Sequence, residues 1–287
     1  MSTPFSSDAP PLVSCVVVNF KMVNFLRHLL QSIQDAPPSF SYEFLLVDNA
    51  SQDGIAEVVR TSFPWVHLIE SPTNVGLGAG ANLALAHAQG KFILFLNPDL
   101  RIEPGELEKW IAWMEEHPDV GISGPRLLNV DGTDQESCYR FPSLLIPVYR
   151  RTLLGKTPWG KRAVDRYSMK DLDRTQEHDL DWVLGAALLI RRDLLDKIGR
   201  FDERFFLYFE DSDLCRRAWL AGARVVYTPV AKIMHYYQRD SRKVKNFWLS
   251  FLNPITRIHI VSGIKYFLKY FGQPNPRETF RAKHASV

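Results

Sequence analysis

Cysteine is scarce in this sequence. Its three residues, Cys15, Cys138 and Cys215, are far apart, odd in number and free of any C-x-x-C spacing, which excludes a disulfide framework or a zinc ribbon and fits a reducing cytosol. Long apolar runs are missing as well. No stretch reaches the length of a transmembrane helix, and Met1 to Pro11 is polar and proline-containing rather than basic and then apolar, so no secretory signal is expected and the chain reads as cytoplasmic. Without such a signal, the sequon Asn49-Ala50-Ser51 carries no meaning. Complete phosphate-loop motifs are also absent. Gly76, Gly78 and Gly80 form G-x-G-x-G, short of the dinucleotide pattern and not in the first βα turn, and Arg150 stands where a P-loop ending in Gly155-Lys156-Thr157 needs glycine.

What is present is enough apolar residue for a full core, 46% of 287 positions, and a lopsided charge. The formal charge of +3 combines +9 from Lys232 to the C-terminus with −6 over the rest. Four segments are expected: a disordered start at 1–11, a first half at 12–125, a second half of the same domain at 126–240 and a basic amphipathic tail at 241–287. From Phe247 to Phe271 the tail carries aromatic and aliphatic residues at helical spacing, interrupted at Pro254. That pattern fits an interfacial membrane helix on the inner face of the membrane, and equally a helix docked on the body with its lysines in water. Because its basic residues lie among large apolar ones, lipid or a lipid-linked molecule is favoured over nucleic acid.

The body reads as α/β. Val13–Asn19 and Phe44–Val47 are short apolar runs on either side of a helix-like stretch, 23–33, the pattern of a βαβ unit with a parallel sheet. Further strands are expected at 66–69, 92–96, 120–124, 181–190 and 224–228. Helices are expected at 55–61, 83–88, 104–117 and 192–198, the last ending at Gly199. Residues 125–180 read as a long excursion over the sheet.

The chemistry-bearing residues cluster where strands should end. Pro98 stops the run 92–96 and leaves Asp99 beyond the carboxyl edge, where open α/β sheets bind ligands. Alone, Asp99 reads rather as a turn or helix-cap residue ahead of Pro104-Gly105-Glu106. Glu210, Asp211 and Asp213 follow the aromatic run 205–209 directly before a helix. Ser212 and Asp213 can cap it, but capping cannot use all three acids. At least one of Glu210 and Asp211 is left beside bulky apolar residues that raise a carboxyl pKa, which suits a general base. His235 alone reads as a packed or surface histidine, or as a metal ligand.

In this order the stretches Val17-Val18-Asn19-Phe20, Leu46-Val47-Asp48-Asn49-Ala50-Ser51, Asn74-x-Gly76 with Asn82, Asn97-Pro98-Asp99 and Phe209-Glu210-Asp211 resemble the family 2 glycosyltransferases. Those are inverting enzymes of the GT-A fold, and the likeness is to their rhamnosyltransferase-like group. The resemblance covers roughly 13–237 and implies a GT-A, Rossmann-like, mostly parallel sheet flanked by helices. It places Asn19, Asp48, Asn49, Ser51, Asn74, Gly76, Asn82 and Asn97 on the donor nucleotide, with Asp48 accepting the pyrimidine N3–H. Asp99 and His235 would hold Mg²⁺ or Mn²⁺, Asp211 would be the catalytic base, and Asp181, Trp182, Gly185 and Glu210 would border the acceptor. The implied donor is dTDP-rhamnose or a UDP-sugar, and the acceptor a saccharide or lipid-linked glycan, in an enzyme that could be a homodimer. One departure stands out: Asn97 replaces the first aspartate of D-x-D, which leaves one carboxylate for the metal. A sugar nucleotidyltransferase, the neighbouring alternative, needs a glycine-rich loop after the first strand, and Asn19-Phe20-Lys21-Met22-Val23 has no glycine. A non-catalytic glycan-binding protein has no need of the acidic cluster.

Overall fold

The computed structural model describes residues 9–236 and 253–284. Most of the expected N-terminal start, and residues 241–252 of the tail, lie outside that range. In chain order the elements are β1 (Val13–Asn19), α1 (Val23–Asp35), β2 (Tyr42–Asp48), α2 (Ile55–Ser62), β3 (His67–Glu70), α3 (Leu77–Leu85), β4 (Phe92–Leu96), β5 (Leu100–Ile102), α4 (Glu106–Glu116) and β6 (Val120–Leu128). After them come β7 (Cys138–Tyr139), α5 (Ile146–Arg151), a 3₁₀ turn (Leu153–Lys156), α6 (Pro158–Tyr167), β8 (His178–Asp179), β9 (Trp182–Val183), β10 (Ala187–Arg191), α7 (Arg192–Ile198), α8 (Glu210–Leu220), β11 (Arg224–His235), α9 (Pro254–Lys269) and α10 (Pro276–His284).

The main sheet runs β3-β2-β1-β4-β10-β6-β11-β5, with β8 also on β11. β1 to β4 are mutually parallel. β10 runs against both β4 and β6, so the sheet is mixed rather than simply parallel. A strand that returns from a long excursion needs no βαβ crossover and can enter in either direction. Both faces are covered, which explains why the strands are continuous apolar runs. Val13, Cys15 and Val17 of β1 point into a core with Leu26, Leu29 and Leu30 of α1, Ile55 of α2 and Trp110 of α4. Val16 and Val18 point the other way, onto Ala81 and Ala84 of α3 and Leu214, Cys215 and Ala218 of α8.

Three expectations change. The expected strand 181–190 is two strands, β9 and β10, broken at Leu184-Gly185-Ala186 where the chain leaves the small ribbon β7-β9 for the main sheet. The helix expected at 83–88 begins at Leu77, so Gly78 and Gly80 lie inside it. A Cβ on Gly80 would come 2.9 Å from Val18 Cγ1, and one on Gly78 3.2 Å from Phe201 Cβ; close packing, not a turn, selects these glycines. Finally, Ser212 and Asp213 do not cap α8. Its N-cap is Phe209, in the left-handed region with φ 70° and without a side-chain cap.

The freed side chains tie the tail down instead. Ser212 Oγ lies 3.3 Å from Tyr266 Oη. Asp213, fully buried, binds Arg217 at 2.8 Å, Tyr270 Oη at 2.7 Å and Lys269. α9 is therefore docked by one face, while Val261, Ile264 and Leu268 stay exposed on the rest, as does Phe271 just beyond its end. α10 is held by Asp181, whose carboxylate takes Arg277 Nη1 at 2.9 Å and Asn275 Nδ2 at 3.0 Å.

Candidate active site

The sheet register brings the polar strand ends together. Asn19 is paired with Asp48 at the ends of β1 and β2, and β4 stops one residue before Asn97. Two tight turns leave these edges with non-glycine residues at positive φ, Lys21 after β1 and Ala50 and Gln52 after β2. Such backbone is costly and survives where surrounding bonds over-determine it. Here Asn19 Nδ2 donates to Ser51 Oγ at 2.9 Å, Ser51 Oγ donates to Asn19 O at 3.1 Å and Ser51 N–H donates to Asp48 Oδ1 at 3.0 Å. Asp53, which the sequence reading passed over, accepts from Val23 N–H at 3.1 Å and so fixes the start of α1.

A second network links this edge to α3. Asn49 Nδ2 donates to Asn74 Oδ1 and Gly76 O, both at 3.0 Å, and Asn49 Oδ1 accepts from Val75 N–H at 3.0 Å. Gly76 has φ +91°, and a Cβ there would collide with the Phe206 carbonyl. Asn82 is engaged at both ends of its amide: it donates to Phe201 O and Glu203 Oε1 at 2.9 Å and accepts from Phe201 N–H at 3.0 Å. Asn49, Asn74, Gly76 and Asn82 thus fasten the 199–209 loop and the start of α3 to the β2 end.

That loop delivers the acidic pair. Tyr208 and Phe209 both take φ 70° and turn the chain sharply into α8. Asp211 receives Gly185 N–H on Oδ2 at 3.0 Å and Ser212 N–H on Oδ1 at 2.7 Å. Burial pushes its pKa up to about 6, against the opposing pull of these two backbone donors. Glu210 is more deeply buried, its Oε2 accepts no hydrogen bond among the described residues, and burial first and the Asp211 charge second hold its carboxyl well above the usual range. Two carboxylates this close and this dry do not both ionise. Burial and mutual repulsion favour the proton on Glu210, and Asp211 is the carboxylate of the pair whose charge two backbone N–H groups support. The two face a pocket of about 30 Å³, bounded also by Phe95, Asn97, Gly185 and Leu77.

Asp99 and His235 meet because β5 pairs with β11, with Leu100 opposite His235, and because Tyr236 N–H donates to Asp99 O at 2.8 Å. Asp99 is not a helix cap; a strand follows it, and Gly105 caps α4. His235 Nε2 lies 3.3 Å from Asp99 Oδ1. Gln135, absent from the sequence reading, sets the ring's tautomer. Its Nε2 donates to His235 O at 2.9 Å, so its Oε1, 2.8 Å from His235 Nδ1, must accept, and Nδ1 carries the proton. In the neutral ring the Nε2 lone pair then faces a buried carboxylate oxygen, Asp99 Oδ1, that accepts no hydrogen bond among the described residues. Two lone pairs converging in a dry place suit a divalent cation. No third His, Cys, Asp or Glu joins them among the described residues, which suits an ion that keeps water and takes substrate phosphates as its other ligands.

The other expected acceptor residues divide. Gly185 is at the site, and a Cβ on it would stand 3.1 Å from Asp211 Cβ. Trp182 is buried, stacked on Tyr139 at 4.4 Å with its indole N–H on Arg140 O. Asp181 is committed to α10 and to Phe141 N–H at 2.8 Å.

Residues 14–199 match the family model described as Glycosyl transferase family 2. The chain belongs to that family. Over 207 residues this glycosyltransferase is 30% identical to the N-acetylglucosaminyl-diphospho-decaprenol L-rhamnosyltransferase of Mycobacterium tuberculosis, a match that covers 67% of this chain and 66% of that protein. It is 29% identical to the rhamnosyltransferase WbbL of Escherichia coli K12 over 265 residues, 89% of this chain and 92% of WbbL. Its fold is the GT-A fold. GalNAc-T7 solved with UDP, GalNAc and Mn²⁺ superposes with a TM-score of 0.63 at 13% identity, covering 97% of this chain and 51% of that one. The mannosyltransferase PcManGT of Pyrobaculum calidifontis, in complex with GDP-Man and Mn²⁺, gives 0.56 at 18% identity, covering 97% and 75%. No helix among the described residues of this glycosyltransferase is long and apolar enough to cross a membrane.

Proposed function

We propose that this glycosyltransferase transfers a sugar with inversion, L-rhamnose from dTDP-rhamnose, to a hydroxyl of a lipid-linked glycan in the synthesis of a bacterial surface polysaccharide, working at the inner face of the cytoplasmic membrane. The observation that carries the reaction type is the pair Glu210 and Asp211. One carboxyl is held neutral, and the other is fixed by two backbone N–H groups with a pKa moved toward the working range of a base. The choice of rhamnose rests on the two rhamnosyltransferases to which the chain is 29 and 30% identical.

In this reading the acceptor hydroxyl gives its proton to Asp211 while its oxygen forms a bond to the anomeric carbon. The bond from that carbon to the diphosphate breaks on the opposite face, and the electron pair leaves with the nucleoside diphosphate. Because Glu210 is neutral, a single negative charge faces the incoming hydroxyl. Asp48, half-buried with Oδ1 on Ser51, turns toward the base and accepts its N3–H. Asp99 and His235 would hold Mg²⁺ or Mn²⁺, which supplies Lewis-acid neutralisation of the leaving diphosphate.

A donor panel of dTDP-rhamnose, UDP-sugars and GDP-mannose, scored by release of nucleoside diphosphate in the presence of a lipid-diphosphate-linked saccharide, tests the reading. Selective use of dTDP-rhamnose with an inverted anomer in the product is expected. A UDP-sugar as the preferred donor replaces rhamnose, and a retained anomer removes Asp211 from the role of base.

A further inference from the structure

A cavity of about 690 Å³ lies away from the acidic pair, in the excursion that carries α5, the 3₁₀ turn and α6. Its charge is of one sign. Arg140, Arg162 and Arg166 line it, and none of the three makes an ion pair among the described residues. Arg140 is half-buried, its Nε is buried, and that Nε donates to no acceptor among the described residues. Burying a guanidinium nitrogen without an acceptor is costly, so an unoccupied arginine of this kind marks a place for an anion. From residue 140 to residue 170 the sequence has eight lysines and arginines against a single acid, Asp165, and that acid is paired with Lys170 at 2.7 Å.

The other half of the lining is apolar and aromatic, with Phe141, Ile146, Trp159 and Tyr167. The apolar character continues outward. Leu153 is 76% exposed and Trp159 63%, and Leu144, Leu145 and Leu154 stand open beside them. Large apolar side chains clustered in water around a basic cavity are what an interfacial protein presents to a bilayer. The cavity also communicates with the chemistry. Arg140 follows Tyr139, which pairs with Trp182 in the β7-β9 ribbon; three residues beyond Trp182 is Gly185, whose N–H holds Asp211.

Resting on the transferase reading above, we propose that the Arg140, Arg162 and Arg166 cavity binds the diphosphate of a polyprenyl-diphosphate-linked acceptor, with Leu153, Leu154 and Trp159 seated in the bilayer interface around the lipid stem. The site would set the distance from diphosphate to acceptor hydroxyl and so measure which sugar of the lipid-linked glycan reaches Asp211. Guanidinium groups suit this ligand because they bind phosphate oxygens in pairs, and a diphosphate offers two such groups.

The full chain is sedimented with phosphatidylcholine vesicles that carry either undecaprenyl diphosphate or phosphatidylglycerol at equal surface charge. Native protein is expected to prefer the diphosphate vesicles by about tenfold or more, and Arg162→Gln/Arg166→Gln to remove that preference. Both arginines are on the surface, so the double variant should fold. Leu153→Ser/Leu154→Ser, two exposed residues outside the cavity lining, should weaken attachment to both kinds of vesicle while leaving capture of soluble dodecyl diphosphate intact. Equal binding to the two vesicles, a preference that survives loss of both arginines, or inorganic diphosphate held as tightly as the lipid form would each overturn the proposal. Turnover of the native chain with a nucleotide sugar and a soluble saccharide is measured separately: its presence with no diphosphate preference sinks this site alone, and no donor use at all sinks the transferase reading.

Discussion

Two groups of polar side chains meet at the same sheet edge and are treated oppositely. At the ends of β1 and β2, Asn19, Asn49 and Ser51 are buried and their side chains find donors and acceptors within the protein. On the other side, Glu210 Oε2 and Asp99 Oδ1 are buried and accept nothing among the described residues. Satisfied groups lower the energy of one backbone shape, here turns with Lys21, Ala50 and Gln52 at positive φ. Unsatisfied ones cost stability and are retained where they act on something brought in from outside. In the proposed reading the first group builds a mould, and the second carries the chemistry.

The sharpest way to break that contrast is Asp211→Asn. The amide can accept only one of the two backbone N–H groups that Asp211 holds and cannot take a proton, so turnover should fall about 10²- to 10⁴-fold, while the thermal midpoint at pH 7 stays close to native because one lost hydrogen bond is set against one buried charge removed. The sign of the stability effect follows from the raised pKa. The folded protein keeps a proton that the unfolded chain releases between 3.8 and about 6, so stability falls as pH rises through that window, and removing the charge does not destabilise above it. Near-native turnover in this variant would show that the base lies elsewhere. Next in size is the metal pair. Asp99→Ala, or treatment with EDTA, should lower turnover about 10²-fold, with Mn²⁺ restoring the EDTA-treated native enzyme and not the variant. Activity indifferent to EDTA would take Asp99 and His235 out of metal binding.

The acid limb of the pH profile should come third. With Asp211 titrating at about 6, kcat/KM should fall about tenfold between the neutral plateau and pH 5. A flat profile down to pH 5 would contradict a base in this environment. Gly185→Ala should be milder. Its Cβ would stand 3.2 Å from Asp211 Oδ2, so the carboxylate has to shift by a few tenths of an ångström. A loss of about tenfold or less in kcat, with the pH limb displaced and KM for the donor unchanged, would place the effect at the base.

How much of this could be read beforehand depends on how local the determinant is. The β1 and β2 ends were legible because a continuous apolar run that stops at Asn19 or Asp48 has one structural meaning. The acidic cluster was legible because three acids in four residues exceed what a helix start can use, but that pattern left open which of Glu210 and Asp211 is spare, and Asp211 was singled out only by the family resemblance. Where Ser212 and Asp213 were expected to cap α8, the structure uses them on Tyr266, Lys269 and Tyr270, residues more than 50 positions away. Gln135 carries no sequence signal at all. It lies 100 residues before His235 in a stretch without periodicity, and only the pairing of β11 with β6 and β5 brings the two together. Gly78 and Gly80 misled for a related reason: glycines selected by contact with Val18 and Phe201 look, in one dimension, like glycines selected by a turn.

The smallest expected effect on turnover tests the other half of the contrast. Asn49→Ala removes an amide that ties the β2 end to Asn74, Val75 and Gly76, and it leaves backbone groups on the half-buried Val75 and the buried Gly76 short of a partner. The cost should be about 1–3 kcal/mol of folding stability. Turnover of the folded fraction should change by less than about threefold, because none of those bonds reaches Asp211 or Asp99. Thermal melts with and without donor separate the outcomes. If Asn49 only shapes the edge, the midpoint falls by the same amount in both. If instead the donor restores the native midpoint, Asn49 contributes directly to the ligand, and the division between a satisfied mould and an unsatisfied reactive edge would have to be redrawn with Asn49 on the reactive side.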